Sequence, residues 1–101
     1  MFFPITPPPL PEPTPIIVEY AIRSLARTYQ VDEKTAIRIG WCESRFKADA
    51  RNSQSSATGV YQFTVGTWEY IKAEGSPLDF EENIKQFMIH YPKHPEWWQC
   101  K

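Results

Sequence analysis

Proline is distributed unevenly along the chain, and its distribution limits where regular structure can form. Seven of the ten prolines lie in the first fifteen residues, "MFFPITPPPLPEPTP". A proline inside a helix removes a backbone hydrogen bond, and closely spaced prolines favour an extended polyproline conformation. We therefore expect residues 1–14 to be a Pro-rich flexible tail or linker and residues 15–101 to form one folded domain.

Length and charge argue against several classes of protein. A chain of 101 residues, 42% of them hydrophobic, can form one domain with a modest core. The formal net charge of -1 does not fit a nucleic-acid-binding protein, which needs clustered basic residues to contact phosphates. No apolar run approaches the roughly 18 residues of a membrane span, and no secretory signal is visible at the start. We expect a monomer with no nucleic-acid partner and no membrane span.

Two helices are predicted near the beginning of the domain from their start signals and apolar stripes. Thr14 followed by Pro15 is typical of a helix start, and apolar residues then recur at helical spacing towards Gln30. Asp32 is the next N-cap residue. Its helix carries a stripe spaced i, i+3, i+4 and i+7, formed by Ala36, Ile39, Gly40 and Glu43. This stripe is apolar except at its last position.

The rest of the chain predicts a loop and further helices. Residues 47–59, "KADARNSQSSATG", are polar and have no helical or alternating period, so we expect a loop that could wall one side of a cleft. A third helix is expected over Val65–Ala73, and a fourth begins after Asp79 and ends before Pro92. One short helical turn follows near the C-terminus. The fold class is therefore mainly α, with about four to five helices and an irregular loop region.

The two cysteines, Cys42 and Cys100, lie at opposite ends of the folded part. In an exported protein they would pair, which contributes about 4 kcal/mol in the chain-entropy model, whereas in a reducing compartment they would remain thiols. A zinc tetrad with His90 and His94 is an alternative. Structural zinc sites usually contain closely spaced cysteine pairs, so we expect no metal site here.

Glu43 lies where an ionised carboxylate is unfavourable. The C-terminal end of a helix carries partial negative charge, and apolar neighbours also disfavour a charge. A carboxyl group with a raised pKa can act as a general acid, for example by protonating the leaving oxygen of a glycosidic bond. Periodicity alone favours the alternative, a solvated glutamate at a frayed helix end.

The residues around Glu43 resemble a known family. "ESRFKADA" followed by "SSATGVYQFTVGTW" is similar to the goose-type and soluble-lytic-transglycosylase branch of the lysozyme superfamily. In that family a glutamate-serine pair at a helix end precedes a loop, a Gly-x-x-Gln-(Phe or Met) motif and a Gly-Thr-Trp-like helix start. "DFEENIKQFM" resembles the later helix of the family. The resemblance covers about residues 20–88 and implies a compact lysozyme-like domain.

The resemblance also implies a role for each matching residue. Glu43 would be the catalytic acid, and the adjacent Ser44 would position the substrate or the carboxyl group. Gly59 would let the backbone approach the saccharide closely. Tyr61 and Gln62 would line the cleft, and Gln62 would form a hydrogen bond to an N-acetyl group or a sugar hydroxyl.

The C-terminal residues match the family less closely. Many relatives carry a tyrosine-asparagine motif in a later helix, for which Tyr91 could substitute. Trp97 and Trp98 could stack on sugar rings or fill the core, and we expect at least one of them in the core. A Cys42–Cys100 disulfide would hold this tail against the helix that ends near the acid.

The family cleaves the β-1,4 bond between N-acetylmuramic acid and N-acetylglucosamine in peptidoglycan, which places its action outside the cytoplasm. As the resemblance implies, lytic transglycosylases use one glutamate, form a 1,6-anhydro end and need no cofactor. A hydrolytic muramidase is an alternative that needs a second carboxylate within about 5–10 Å, and Asp49 is the best candidate for it. We nevertheless expect the side chain of Asp49 to cap a turn instead. A non-catalytic peptidoglycan-binding module is a further alternative.

Overall fold

The computed structural model describes residues 12–100, which form four α-helices and one short 3₁₀ helix. The α-helices are α1 (Pro15–Tyr29), α2 (Glu33–Ser44), α3 (Val65–Tyr70) and α4 (Phe80–His90), and the 3₁₀ helix spans Pro95–Trp97. Over residues 12–100 the β pairing is limited to isolated bridges. The predicted mainly helical domain is confirmed. Most of the predicted Pro-rich tail lies outside the described residues.

Both α1 and α2 begin at the predicted capping side chains. Thr14 Oγ1 accepts a hydrogen bond of 3.4 Å from the amide of Ile17, and Asp32 accepts one of 2.9 Å from the amide of Thr35. These bonds satisfy amides that have no partner inside the helix. In the folded domain α1 packs against both α2 and α4.

The third helix is shorter than the predicted Val65–Ala73. It ends at Tyr70, because Lys72 adopts a φ of 56°, a left-handed conformation that cannot continue the helix. Gly75 lies beyond the end of this helix. Its carbonyl accepts a hydrogen bond of 2.9 Å from the indole of Trp68.

The core joins α1, α2 and α4 to the segment that follows the loop. Its largest fully buried side chains include Ile22, Ile39, Tyr61, Ile84 and Phe87. The ring of Tyr61 stacks on Phe87 with centroids 3.7 Å apart, and its hydroxyl donates a 2.7 Å hydrogen bond to the carbonyl of Ala36. The post-loop segment is thereby fixed against both α2 and α4.

The C-terminal tail returns to α2. Cys100 forms a disulfide with Cys42, and Trp98 is 4% exposed and belongs to the core, as expected for at least one tryptophan. None of the helices found between residues 12 and 100 has the length and apolar character needed to cross a bilayer.

Candidate active site

An open cavity of about 600 Å³ lies at the C-terminal end of α2 and along the loop that follows. Eleven residues line it: Cys42, Glu43, Ser44, Arg45, Lys47, Asp49, Ala50, Arg51, Asn52, Ser53 and Gln62. Ten of these belong to the end of α2 and the loop, and Gln62 comes from the segment beyond. The loop predicted to wall a cleft therefore does line one.

The carboxyl group of Glu43 is half-buried in the lining of this cavity. Burial raises the pKa of Glu43 above its ordinary value of 4.5, because desolvation disfavours the charged form. The backbone amide of Cys100 acts in the opposite direction by hydrogen bonding to the carboxylate, and its effect on the pKa is the smaller one. Glu43 therefore keeps a proton to higher pH than an ordinary glutamate and faces open space.

Gly40 allows α2 to approach the core closely one turn before Glu43. A Cβ atom at this position would lie 3.0 Å from Cδ1 of Ile22 and 3.3 Å from the hydroxyl oxygen of Tyr61. Both separations are shorter than ordinary van der Waals contact. The close packing fixes the end of α2, and with it the position of Glu43.

The chain turns sharply immediately after Glu43. The Oγ of Ser44 donates a 3.2 Å hydrogen bond to the carbonyl of Gly40 within α2. Arg45 and Phe46 then have φ values of 54° and 61°, a left-handed conformation that is uncommon for residues other than glycine. Phe46 is 7% exposed, so burial of its ring stabilises the turn. Two consecutive residues with left-handed φ thus end α2 and begin the loop that lines the cavity beside Glu43.

Gln62 faces the same cavity as Glu43, although nineteen positions separate them in the sequence. Its Nε2 donates hydrogen bonds to the carbonyls of Ala50, at 3.1 Å, and Gly59, at 2.8 Å. Gln62 also has a left-handed φ of 55°. Among residues 12–100 its Oε1 receives no hydrogen bond, which leaves an acceptor available at the cavity.

Tyr61 does not line the cavity, contrary to its predicted role as a substrate contact. Its side chain has no exposed surface and lies between Phe87 and the carbonyl of Ala36. Burial of the ring and hydrogen bonding of its hydroxyl hold it in the core. Burial also raises the pKa of Tyr61 well above its ordinary value, so the phenol stays neutral.

Gly59 is buried and does not line the cavity either, so the predicted approach of its backbone to a saccharide is not observed. It has a φ of 86°, and a Cβ atom there would collide with the amide of Asn83 and the carbonyl of Pro77. The structure requires glycine here for packing and for its backbone conformation. Gly59 therefore shapes the turn that presents Gln62.

The predicted contacts in the C-terminal part lie away from Glu43. Tyr91 packs on Phe87 with ring centroids 5.0 Å apart and lines none of the cavity, so its predicted substrate contact is not observed. Trp97 stacks on His94 and lines a neighbouring cavity of about 80 Å³. Gln62 lines both cavities and connects them.

Asp49 is the second acidic side chain of the cavity lining. It is exposed, and among residues 12–100 no hydrogen bond to its carboxylate is found, so the expected turn-capping role is not observed. Asp49 therefore remains free to interact with a ligand in the cavity.

The disulfide bears on the alternative of a zinc site and on the surroundings of Glu43. It uses the thiols of Cys42 and Cys100 that a zinc tetrad would need. Over residues 12–100 no cluster of three or more potential metal ligands is found. The disulfide also holds the amide of Cys100 beside the carboxyl group of Glu43.

Two further features of the site were not predicted. Asn83 is fully buried, accepts a 2.9 Å hydrogen bond from the amide of Tyr61 and donates one of 2.8 Å to the carbonyl of Pro77. The cavity also carries three basic side chains, of Arg45, Lys47 and Arg51. The three basic residues follow Glu43 closely in the sequence, and this spacing could have predicted them. The hydrogen-bond partners of Asn83 are visible only in the fold.

Comparison with known families identifies the architecture around this cavity. A model of the transglycosylase SLT domain matches residues 20–87. The chain belongs to this family. The match includes Glu43, the whole lining of the cavity and most of α4, and it confirms the predicted resemblance. No curated protein and no solved structure matched the chain. The SLT domain indicates activity of the lytic transglycosylase type on peptidoglycan.

Proposed function

We propose that the protein is a lytic transglycosylase that cleaves the β-1,4 bond between N-acetylmuramic acid and N-acetylglucosamine. The observation that carries the proposal is the half-buried carboxyl group of Glu43, which has a raised pKa and lines an open cavity. A general acid needs both properties. Membership of the SLT domain family supports peptidoglycan as the substrate. We accordingly propose that the protein acts as a monomer outside the cytoplasm.

In the proposed reaction Glu43 is first an acid and then a base. Its neutral carboxyl group donates a proton to the glycosidic oxygen while the bond from that oxygen to C1 of the muramoyl residue breaks. The resulting carboxylate accepts the proton of the C6 hydroxyl of the same sugar, and the C6 oxygen bonds to C1. The product has a 1,6-anhydro end, Glu43 is protonated again and no water is consumed.

Gln62 and Ser44 are proposed to orient the sugar beside the acid. The Nε2 atom of Gln62 is held by two backbone carbonyls, so its Oε1 can accept the N–H of an N-acetyl group. The hydroxyl of Ser44 donates to Gly40 and keeps its own lone pairs as acceptors. Trp97, in the neighbouring cavity, offers an aromatic face to an adjacent sugar.

Asp49 supports a second candidate function, a hydrolytic muramidase. An ordinary glycosidase needs a second carboxylate to act as nucleophile or to activate water. Asp49 lines the same cavity as Glu43 and its carboxylate is exposed. In this alternative Asp49 would assist the attack of water, and the sugar would end in a free reducing end.

The two enzymatic candidates are distinguished by digesting purified peptidoglycan with the protein and analysing the products by mass spectrometry. A transglycosylase product is lighter by one water than the hydrolytic product. Glu43→Gln should lower cleavage at least about 100-fold in either case, because it removes the acid. Asp49→Asn should leave a transglycosylase active and inactivate a hydrolase. If the native chain binds peptidoglycan without cleaving it, the non-catalytic module is correct.

A further inference from the structure

Three basic side chains share the cavity of the proposed acid. Arg45, Lys47 and Arg51 line the cavity that contains Glu43, and all three are exposed. Asp49 is the other acidic residue of the lining, so positive charge predominates when Glu43 is protonated. The chain as a whole has 11 basic and 12 acidic residues. The positive character of the cavity is therefore local.

The charges of these three residues are not neutralised within the fold. None of the ion pairs found between residues 12 and 100 includes them. By contrast, Arg23 and Arg27 on α1 both contact the carboxylate of Glu33. Basic side chains without acidic partners around a cavity attract an anionic ligand.

The backbone and one aromatic ring hold this set in place. The guanidinium of Arg45 lies 5.0 Å from the centre of the Trp41 ring, a cation–π contact that restricts its orientation. The amide of Lys47 donates a 3.0 Å hydrogen bond to the carbonyl of Ser44. Arg51 forms a β-bridge with Thr58. All three side chains therefore extend from ordered backbone, which lowers the entropic cost of binding.

We propose that Arg45, Lys47 and Arg51, here called the basic rim, bind free carboxylates on the peptide stems of the glycan strand. This inference rests on the proposed function, because it takes the saccharide to lie in the same cavity. Stems with free carboxylates present negative charge beside the scissile bond, and amidated stems do not. The preferred substrate is accordingly peptidoglycan with acidic, non-amidated stems, and the basic rim sets that preference through charge.

The test measures binding separately from cleavage. Sacculi are divided, and the stem carboxylates of one half are converted chemically to amides. The Glu43→Gln protein is cosedimented with each half at low and at high salt. We expect about fivefold weaker binding to the amidated half at low salt, and a smaller difference at high salt, because exposed charge contacts are screened. Lys47→Gln with Arg51→Gln, added to that protein, should abolish the difference.

A matched control makes the same change of charge elsewhere. Lys34→Gln with Arg38→Gln removes two exposed positive charges from α2 outside the cavity and should keep the fivefold difference. The inference is wrong if the Glu43→Gln protein binds both halves equally. It is also wrong if the control substitutions abolish the difference in binding as the substitutions in the basic rim do. If the native protein cleaves both halves equally well, the proposed role of the basic rim is wrong and the proposed reaction stands. A binding preference without any cleavage refutes the proposed reaction and supports the basic rim.

Discussion

The indole Nε1 of Trp98 donates a 2.9 Å hydrogen bond to the backbone carbonyl of Tyr61. The amide of Tyr61 donates to the side chain of Asn83 at 2.9 Å, so both backbone groups of this residue are bound by side chains from the C-terminal part of the chain. Gln62 follows directly and lines the cavity. The position of Gln62 thus depends on buried residues that cannot touch a substrate.

Trp98→Phe tests this support. The change keeps an aromatic ring but leaves the buried carbonyl of Tyr61 without a donor, which should lower the free energy of unfolding by about 1–3 kcal/mol. Trp97→Phe is the control, because within residues 12–100 the indole nitrogen of Trp97 donates no hydrogen bond, and it should cost less than about 1 kcal/mol. Urea unfolding measures both. Equal losses would show that the hydrogen bond contributes nothing specific.

The parts of the fold that depend on neighbouring residues could be predicted from the sequence. The starts of α1 and α2 follow from Thr14 and Asp32, because a capping side chain bonds to an amide only three residues away. The apolar stripe placed Glu43 on the apolar face of α2, since a helix has a fixed period. The family resemblance, and not this period, indicated a buried acid.

The direction of side chains in the Gly-x-x-Gln-Phe motif could not be predicted. Gln62 faces the cavity and Tyr61 faces the core, because the chain turns at a residue with a left-handed φ of 55°. Such a turn has no repeating pattern from which the direction of each side chain could be predicted. The burial of Tyr61 depends on Ala36 and Asn83, which are 25 and 22 positions away.

Glu43→Gln should stabilise the protein at neutral pH. The folded-state pKa of Glu43 lies above its ordinary value of 4.5, so the folded chain retains a proton that the unfolded chain has already lost. The proton bound to Glu43 therefore stabilises the folded state. This contribution is fully present below the ordinary value of 4.5 and is lost as the pH rises through the folded-state pKa. Glutamine carries no charge at any pH. The melting temperature of the variant should therefore exceed that of the native protein at about pH 7 and match it near pH 3.

The control for this prediction is Glu69→Gln, the same chemical change at an exposed position on α3. It should leave the melting temperature nearly unchanged at both pH values. A Glu43→Gln protein that is less stable than the native one at neutral pH would contradict the raised pKa.

The pH dependence of cleavage should show the same ionisation. The proposed acid is active only when protonated, so kcat/KM should fall about tenfold per pH unit above the pKa of Glu43 in the free enzyme. Because burial raises that pKa, the fall should begin above pH 4.5. Initial rates on purified peptidoglycan over a pH series measure this. A fall centred at or below 4.5 would show that Glu43 is not the group being titrated.

Substitution of two glycines should have opposite effects. Gly59→Ala places a methyl group against Asn83 and Pro77 at a φ of 86°, and should lower the free energy of unfolding by about 2 kcal/mol or more. Gly66→Ala lies in α3 where no atom is within 4 Å of the added methyl group, and should raise it by about 0.5–1 kcal/mol. Thermal unfolding distinguishes the two. A tolerated Gly59→Ala would mean that the turn before Gln62 can rearrange freely.

The disulfide should matter for both stability and catalysis. Cys42 and Cys100 are 58 positions apart, and removing their bond should cost about 4 kcal/mol in the chain-entropy model. Cleavage should fall as well, because the tail that carries Trp98 and the amide of Cys100 beside Glu43 is no longer tied to α2. Urea unfolding with and without a thiol reductant measures the stability term. The Cys42→Ser, Cys100→Ser double variant should be as stable as the reduced native protein, and the reductant should not change its stability. A native protein that is equally stable with and without the reductant would show that the disulfide does not support the site.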